Sequence, residues 1–477
     1  MTFTTLTFAY FFIAVFLLYY IVPKKWQWIV MLLASLFFYF EAGVPGFLMM
    51  LLSVLVSWGS ALFIEKAKNK ASLIFAVSVL IFIVVLVLMR TPFGSLVMPL
   101  GLSFYTLQCI GYVTEVYRGS TDAQKNPLRV LLYVSFFPHI LQGPFEDYNE
   151  LKSRLEEGHD FNYDNVCNGA GRFALGLLKK LVLADRIGYI VDPVFDDASG
   201  YHGFTIIFVM ALYTVQLYAD FSGYMDMAVG MSKMLGIEIR ENFNVPYASK
   251  SMAEFWRRWH MSLGLWFKVY VFYPMLRTKL CSGVSSHFKK KKNKYLMKTL
   301  PTAIALTVNW TLIGFWHGFD ANYLCYDWFC GAVIIFSEFL RPVYASVNDK
   351  APKVFKSKFM DALRVVRTFI IVMFSFMMFR PTELSTSFLM MKEIFIKADI
   401  GGCANFIYNN IYDLFLIVVP FAILLVVDIF KYREKDILTM IRSLNPVFRW
   451  CIYIAVALLI YVCKGDRSAA GFAYYIF

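Results

Sequence analysis

Long apolar runs, separated by short charged loops, dominate this sequence. A helix that crosses a bilayer needs about 20 consecutive apolar residues, because the hydrocarbon layer is about 30 Å thick. Candidate runs lie at residues 6–22, 27–41, 46–63, 71–89, 93–112, 128–143, 170–192, 203–231, 262–276, 300–319, 322–340, 363–379, 411–430 and 447–463. The pattern predicts an all-α polytopic membrane protein, a bundle with about 10–12 transmembrane helices.

The composition argues against an ordinary soluble protein. Hydrophobic residues make up 59% of the 477 residues and charged residues only 17%, whereas soluble domains have about 45–50% and about 25%. This excess is too large for one soluble core, so residues 1–477 are predicted to form a single integral membrane domain. Its distinctive motifs span about 95–330, and further spans are expected over about 363–477. The first run lacks the features of a cleaved signal peptide and is expected to be a retained span.

The positive charge of the chain is concentrated in its short loops. The formal net charge is +13, with basic clusters at 24–25, 66–70, 289–294 and 431–433. Short loops rich in lysine and arginine stay on the cytoplasmic side of a membrane. We therefore expect the "KKKKNK" loop at 289–294 to be cytoplasmic and to contact membrane lipids, and we expect no nucleic-acid partner. The eight cysteines lack metal-ligand spacing, so neither a metal site nor a disulfide is predicted.

Some apolar runs contain residues that break a helix. Pro138 and Pro144 interrupt the stretch "FFPHILQGPF". Non-helical backbone at membrane depth survives only where protein or a water-filled cavity satisfies its polar groups. The sequence therefore predicts re-entrant or interfacial pieces around a central cavity, in addition to the spanning helices.

A helix is predicted between Pro246 and Pro274. Ser251 and Glu254 form an S-x-x-E pattern, which is a helix start signal. Helical spacing then places one set of side chains on a common side: Trp256, His260, Leu263 and Phe267. His260 is thus expected to lie among aromatic side chains.

Two histidines occur in unusual surroundings. His317 lies near the end of 299–319, a stretch without any Asp, Glu, Lys or Arg, and His260 lies beside Arg257 and Arg258. Ionisable residues inside spans are rare and usually face a bundle interior or a water-filled cavity. Three readings remain open from the residues alone: structural histidines with satisfied hydrogen bonds, a proton relay in a transporter, or catalytic groups. The arginines, with Lys268, fit either headgroup anchors or a basic pocket for an acidic donor.

A set of motifs resembles the membrane-bound O-acyltransferase family, and in particular its bacterial alginate O-acetyltransferase and D-alanyl lipoteichoic acid transfer branch. The two central motifs are "EFWRRWHMSLGLW" at Glu254–Trp266 and "GFWHG" at Gly314–Gly318. Supporting stretches are "PLGLSFYTLQCIGYVTEVYRG" from Pro99, "YVSFFPHILQGP" from Tyr133 and "QLYADFSGYMDMAVGMSKMLGIEIRENFNVPY" from Gln216. His139 departs from the alginate branch, where this position is often Gln.

The resemblance implies acyl transfer from a thioester donor to a hydroxyl acceptor. The donor would be acetyl-CoA or an acyl carrier protein thioester, with no permanently bound cofactor. The acceptor would be an extracytoplasmic polysaccharide, a cell-wall glycan or a teichoic acid. A serine-hydrolase-like acyl carrier outside the cell would be a further partner, and the location would be the bacterial inner membrane.

The resemblance also implies roles for particular residues. His317 would be the essential catalytic residue, and His260 would support it in the same cavity. Further side chains are candidates for binding donor or acceptor: Trp316, Trp256, Arg257, Arg258 and Asn309. D-alanyl transfer toward lipoteichoic acid is the main alternative, since the motifs are shared. A histidine-relay transporter and a lipid or protein acyltransferase of the eukaryotic type are the others.

Overall fold

The chain folds into helices and loops. The computed structural model describes residues 1–91, 99–350, 352–381 and 383–465, and it contains no β-strand within these ranges. The all-α expectation is therefore confirmed. Two parts of the predicted spans, the start of the run 93–112 and the end of the C-terminal region at 466–477, lie outside the described residues.

The helices fall into two compact units. Unit 1 comprises Met1–Val182, Ala219–Glu241 and the residues from Asp436 onward, and unit 2 comprises Leu183–Tyr218 and Asn242–Lys435. Unit 1 begins with α1 Leu6–Ile21, α2 Lys24–Phe40, α3 Val44–Lys66, α4 Ala71–Met89, α5 Leu102–Tyr117, α6 Pro127–Ser135, α7 Tyr148–Glu156 and α8 Tyr163–Leu177. A π-helical segment, Leu178–Ala184, follows α8.

Unit 2 holds the longer series of helices. These are α9 Asp185–Asp196, α10 Gly203–Met234, α11 Met252–Phe255, α12 Met261–Phe267, α13 Tyr273–Leu276, α14 Lys279–Lys290, α15 Lys294–His317, α16 Ala321–Phe339, α17 Arg341–Lys350, α18 Pro352–Phe355, α19 Lys358–Phe379, α20 Leu384–Ile396, α21 Ile400–Asn409 and α22 Ile411–Tyr432. The second half of α10 belongs to unit 1, as do α23 Ile437–Arg442 and α24 Pro446–Cys463.

Fewer helices are long enough to span a bilayer than the apolar runs suggest. Within the described residues, six helices are long and apolar enough, or up to seven if α16 and α17, bent by 53°, form one broken span. The expected number was about 10–12. The difference has a geometric cause, because α1, α2 and α5 contain only 16, 17 and 16 residues. At about 1.5 Å per residue they rise about 24–26 Å, less than a hydrocarbon layer of about 30 Å. The multi-pass character of the chain is nevertheless confirmed.

The proline-interrupted segment after α6 is non-helical and buried in unit 1. Residues 136–146 form turns and extended backbone, and all of them are buried. Within this segment the Nε2–H of His139 donates to the carbonyl of Tyr133 at 3.1 Å, and Nδ1 accepts from Nε2 of Gln108 at 2.8 Å. Burial lowers the pKa of His139 to about 4. The predicted broken segment is confirmed, and His139 is a neutral histidine whose two ring nitrogens are both hydrogen-bonded.

Glycines bring α8 and the second half of α10 into backbone contact inside unit 1. A β-carbon at Gly169 would lie 2.5 Å from the carbonyl oxygen of Gly230, and one at Gly176 would lie 2.5 Å from that of Gly223. Gly169 and Gly176 are seven residues apart on α8, and Gly223 and Gly230 are seven residues apart on α10. The two contacts therefore fall on one stripe of each helix. Small residues of this kind allow close helix packing where lipid offers no hydrophobic drive for association.

Buried ion pairs join the same two segments next to these glycine contacts. Nζ of Lys180 lies 2.6 Å from Asp220, and Nζ of Lys179 lies 2.7 Å from Asp226. Arg172 also contacts Asp226, at 3.0 Å. The side chains of Lys180 and Asp220 are only 6% and 4% exposed. Removing one member of such a pair leaves an uncompensated buried charge.

Replacing Lys180 with methionine is therefore expected to destabilise unit 1. Methionine has a similar length but no charge, so Asp220 would lose its ion pair with Lys180, at a cost of about 3–5 kcal/mol. Denaturant unfolding of the purified, detergent-solubilised protein measures this change. Lys125→Met is the matched control, because Lys125 is exposed and surface substitutions usually change stability by about 0.5 kcal/mol or less. Equal unfolding midpoints for the two variants would contradict the expected cost.

Candidate active site

His317 is the last residue of α15, and its side chain packs between helices of unit 2. The imidazole is 3% exposed and contacts the rings of Tyr326 at 6.0 Å and Phe379 at 5.4 Å. The residue after it is Gly318, where a β-carbon would lie 2.3 Å from the ring of Tyr323. The glycine of the W-H-G motif therefore allows the chain to turn tightly from α15 into α16 beside the imidazole.

Asp327 on α16 holds the imidazole of His317. Nδ1 of His317 lies 2.7 Å from Oδ2 of Asp327, and the two side chains are 2% and 0% exposed. A carboxylate can only accept a hydrogen bond, so this contact places the proton on Nδ1. The other ring nitrogen, Nε2, then carries the lone pair and is the basic atom of the ring. Such a carboxylate–histidine arrangement is chemically suited to general-base work.

His260 does not lie in a continuous helix, contrary to the sequence prediction. α11 ends at Phe255, α12 begins at Met261, and His260 has φ = +44° in the left-handed region. The N-cap prediction is correct, because the Ser251 side chain accepts from the amide of Glu254 at 3.2 Å.

A neighbouring extended segment causes this break. The carbonyl of Asn242 accepts from the amide of Met261 at 3.0 Å, and the amide of Asn244 donates to the carbonyl of Arg258 at 2.9 Å. These tertiary bonds satisfy backbone groups that a continuous helix would have paired internally. The tertiary partner segment 242–244 therefore overrides the local helical pattern.

The side chain of Asn242 also orients His260. Its Oδ1 accepts from Nδ1 of His260 at 3.2 Å, and from the amide and hydroxyl of Ser262 at 3.0 and 2.9 Å. Burial lowers the pKa of His260 well below its ordinary value, and the nearby His317 acts in the same direction. The His260 imidazole is therefore neutral, with its Nδ1–H directed to Asn242.

Trp316 brings the two histidines into one neighbourhood. Its ring centroid lies 6.3 Å from that of His260 and 5.1 Å from that of His317. All three side chains are buried. Two imidazoles that are far apart in the sequence thus both contact a single indole in unit 2.

Two other candidate residues, Trp256 and Asn309, lie against or on α15. The Trp256 ring contacts Trp310 of α15 at 5.0 Å and Tyr326 of α16 at 6.3 Å, so it packs against the helix pair that carries His317. Asn309 on α15 is 9% exposed, and its Oδ1 has no hydrogen-bond partner among the described residues. A buried amide oxygen without a partner is energetically costly unless a ligand or water completes it.

The basic residues near His260 have different environments. Arg258 donates to Glu254 at 3.1 Å and to the carbonyl of Asn244 at 3.2 Å, so it braces the loop that carries His260. Arg257 is exposed, and Lys268 is exposed with its ammonium 5.6 Å from the ring of Tyr273. A donor-binding role for this group would therefore fall mainly on Arg257 and Lys268.

Sequence reasoning missed Asp327 and Asn242 as supports for the two histidines. Asp327 had a detectable signal, because it is an ionisable residue within the apolar run 322–340. Asn242 had none, since an asparagine in a polar loop is common. Its proximity to His260 depends on the path of segment 242–244 in the folded chain.

Comparison with known proteins places this arrangement in a family. The profile described as MBOAT, membrane-bound O-acyltransferase family, matches residues 4–380. The chain belongs to this family. The family match extends over α1–α19, and it confirms the resemblance carried by the two histidine motifs.

Relatives within the family differ in the polymer that their names specify. The probable alginate O-acetylase of Pseudomonas aeruginosa is 33% identical over 300 residues, 63% of this chain and 52% of that protein. The peptidoglycan O-acetyltransferase of Helicobacter pylori is 30% identical over 340 residues, 62% of this chain and 60% of that protein. The teichoic acid D-alanyltransferase of Bacillus subtilis is 29% identical over 298 residues, which is 60% of this chain and 70% of that protein. The chain spans about half the length of the alginate relative it matches.

Proposed function

We propose that this chain is a membrane O-acyltransferase. It moves an acyl group, acetyl in the first instance, from a thioester to hydroxyl groups of an extracytoplasmic polysaccharide or cell-wall glycan. The observation that carries this proposal is the buried His317–Asp327 pair, with His260 in contact with the same indole, Trp316. Family membership and the names of two O-acetylating relatives support the same reaction.

The chemical step needs a base, because a sugar hydroxyl is a poor nucleophile at neutral pH. Nε2 of His317 accepts the hydroxyl proton as the oxygen attacks the thioester carbonyl carbon. The new C–O bond forms, the C–S bond breaks, and the proton passes from Nε2 to the departing thiolate. General-base assistance of this kind contributes about 10²–10⁴-fold to a rate.

The neighbouring residues would prepare and protect this step. Asp327 fixes the His317 tautomer and stabilises the imidazolium that forms. His260, kept neutral and oriented by Asn242, would position the acceptor or polarise the thioester carbonyl. The buried oxygen of Asn309 would accept a hydrogen bond from donor or acceptor. The apolar surroundings limit hydrolysis of the thioester by excluding water.

The donor and the location are part of the proposal. A thioester of coenzyme A or of an acyl carrier protein would be a substrate rather than a bound cofactor. A serine-hydrolase-like acyl carrier outside the cell would be a further partner. The protein would act in the bacterial inner membrane, with the basic loop at 289–294 in the cytoplasm.

D-alanyl transfer toward teichoic acid is the second candidate. The similarity to the teichoic acid D-alanyltransferase of Bacillus subtilis favours this candidate, because the matched region covers 70% of that protein. The same His317–Asp327 pair would act on a D-alanyl thioester, since the bonds formed and broken are the same.

Ester analysis of a strain that lacks this chain tests the proposal. We expect alkali-labile acetate on the surface glycan to fall to background, and to return when the wild-type chain is restored. Loss of ester-linked D-alanine with unchanged acetate would favour the second candidate. If both esters stay unchanged, while proteoliposomes of the purified chain transport a solute without an acyl donor, a histidine-relay transporter replaces both readings.

A further inference from the structure

Unit 2 contains a cleft that the histidine site does not use. Its volume is about 350 Å³, within the range of about 300–1,000 Å³ that is typical of small-molecule sites. One wall is formed by the end of α9 and the turn before α10, and the other by α21. None of the residues assigned to the acyl-transfer site lines this cleft.

The two walls of the cleft are held together by direct contacts. The amide of Phe204 donates to the carbonyl of Ala398 at 3.2 Å. A β-carbon at Gly203, where φ is +48°, would lie 2.2 Å from the carbonyl oxygen of Lys397. His202 lines the cleft, and its Nδ1 lies 2.6 Å from Oε2 of Glu393. The cleft is therefore a preformed feature of unit 2, and its shape depends on a glycine.

The lining combines aromatic rings with amide side chains. Tyr201 and Phe406 both line the cleft and contact each other edge to face, with ring centroids 5.7 Å apart. Asn405 and Asn409 lie one helical turn apart on α21 and also line it. Their side-chain amides are exposed and make no hydrogen bond within the described part of the chain. Each amide offers two donors and an acceptor to a ligand.

The charge of the lining distinguishes between classes of polymer. Among the described lining residues there is no lysine or arginine. The one carboxylate, Asp399, accepts from the amide of Gly402 at 3.2 Å and lies 3.6 Å from Nζ of Lys397, and the one histidine, His202, pairs with Glu393. Carboxylate and phosphate groups are typically bound by arginine or lysine. The cleft therefore favours an uncharged ligand rich in hydroxyl and amide groups. Such a ligand has C–H faces that pack on aromatic rings and hydroxyls that pair with asparagine.

We propose that this cleft binds an uncharged saccharide segment of the acceptor polymer, as a docking subsite away from the reacting atoms. The inference rests on the glycan acceptor proposed above. The position is suitable, because Thr205 and Asn410 lie beside the first residues of two candidate spans, α10 and α22. The ends of spans meet the aqueous boundary, where a polymer outside the membrane is accessible.

Binding of a defined oligosaccharide tests the cleft. The full chain in lipid nanodiscs is titrated with a neutral N-acetylglucosamine hexasaccharide and, separately, with a mannuronate hexasaccharide. We expect the neutral probe to bind more tightly. We expect the Asn405→Ala/Asn409→Ala variant to bind it about tenfold more weakly, as two lost hydrogen bonds predict. Tyr408→Ala is the matched control, because Tyr408 is 76% exposed on the same helix and does not line the cleft.

The outcomes separate this inference from the proposed function. No binding by the wild-type chain, equal binding by the double variant, or equally tight binding of the anionic probe would overturn the docking subsite. A His317→Ala variant should still bind the neutral probe while losing acyl transfer. If that variant transfers normally, the proposed mechanism fails and the cleft stands.

Accessibility gives a second test of the same subsite. In whole cells, Asn405→Cys should react with a membrane-impermeant maleimide above the background of the parent chain. Reaction only after the membrane is permeabilised would place the cleft on the cytoplasmic side, and the subsite for an extracytoplasmic glycan would be excluded.

Discussion

Replacing His317 with alanine is expected to reduce acyl transfer by about 10²–10⁴-fold, the contribution of a positioned general base. The physical reason is that Nε2 of His317 takes the hydroxyl proton as the C–O bond forms, whereas His260 would only position the acceptor or polarise the thioester carbonyl. Ester-linked acetate on the product polymer, measured in a complemented deletion strain, reports the loss. The variant removes the hydrogen-bond donor of the buried Asp327 carboxylate, so the ester content is expressed per amount of variant present in the membrane.

A matched substitution controls for general effects of removing a histidine. His287 on α14 is exposed and has no role in the proposed site, so His287→Ala should transfer at the wild-type rate. Quantitative immunoblotting of membranes then compares the amounts of the two variants. Full ester content in the His317→Ala strain would exclude the mechanism proposed for this chain.

Replacing Asp327 with asparagine is expected to lower kcat by about 10²–10⁴-fold, with little change in KM. The amide can donate a hydrogen bond to Nδ1 of His317, which favours the opposite tautomer. Nε2 would then carry the hydrogen and could not accept a proton from the acceptor hydroxyl. The effect is that of a positioning residue, because Asp327 acts through His317.

Two comparisons distinguish this role from a structural one. Asp349→Asn, at an exposed position on α17, should leave transfer unchanged. Asp327→Glu retains the carboxylate and should recover part of the activity that Asp327→Asn loses. A kcat equal to the wild-type value in Asp327→Asn, or a loss confined to KM, would remove Asp327 from the mechanism.

The fate of the region around His260 shows how local and tertiary forces compete. The spacing from Ser251 to Phe267 satisfies a helical pattern, and the cap at Ser251 forms as that pattern requires. The helix nevertheless stops at Phe255, because segment 242–244 supplies hydrogen-bond partners for the backbone around His260. The periodicity of one segment cannot reveal a hydrogen-bonding partner segment that lies earlier in the chain.

The number of spans illustrates a second limit. An apolar run records which residues avoid water, and it does so equally for a lipid-facing helix and a protein core. Residues 136–146 are mostly apolar and all are buried, yet they are not helical, because two prolines remove backbone donors. Only the folded chain shows which runs become helices long enough to cross a bilayer.

The sequence by itself determined that this chain is an all-α, multi-pass membrane protein of an acyltransferase family, and it singled out His260 and His317. These conclusions depend on composition, run length and short motifs, which are properties of neighbouring residues. Tertiary structure decided that both imidazoles contact Trp316, that Asp327 and Asn242 orient them, and that a separate polar cleft exists. Those features arise from contacts between distant segments, whose energies depend on how helices pack and not on any local pattern.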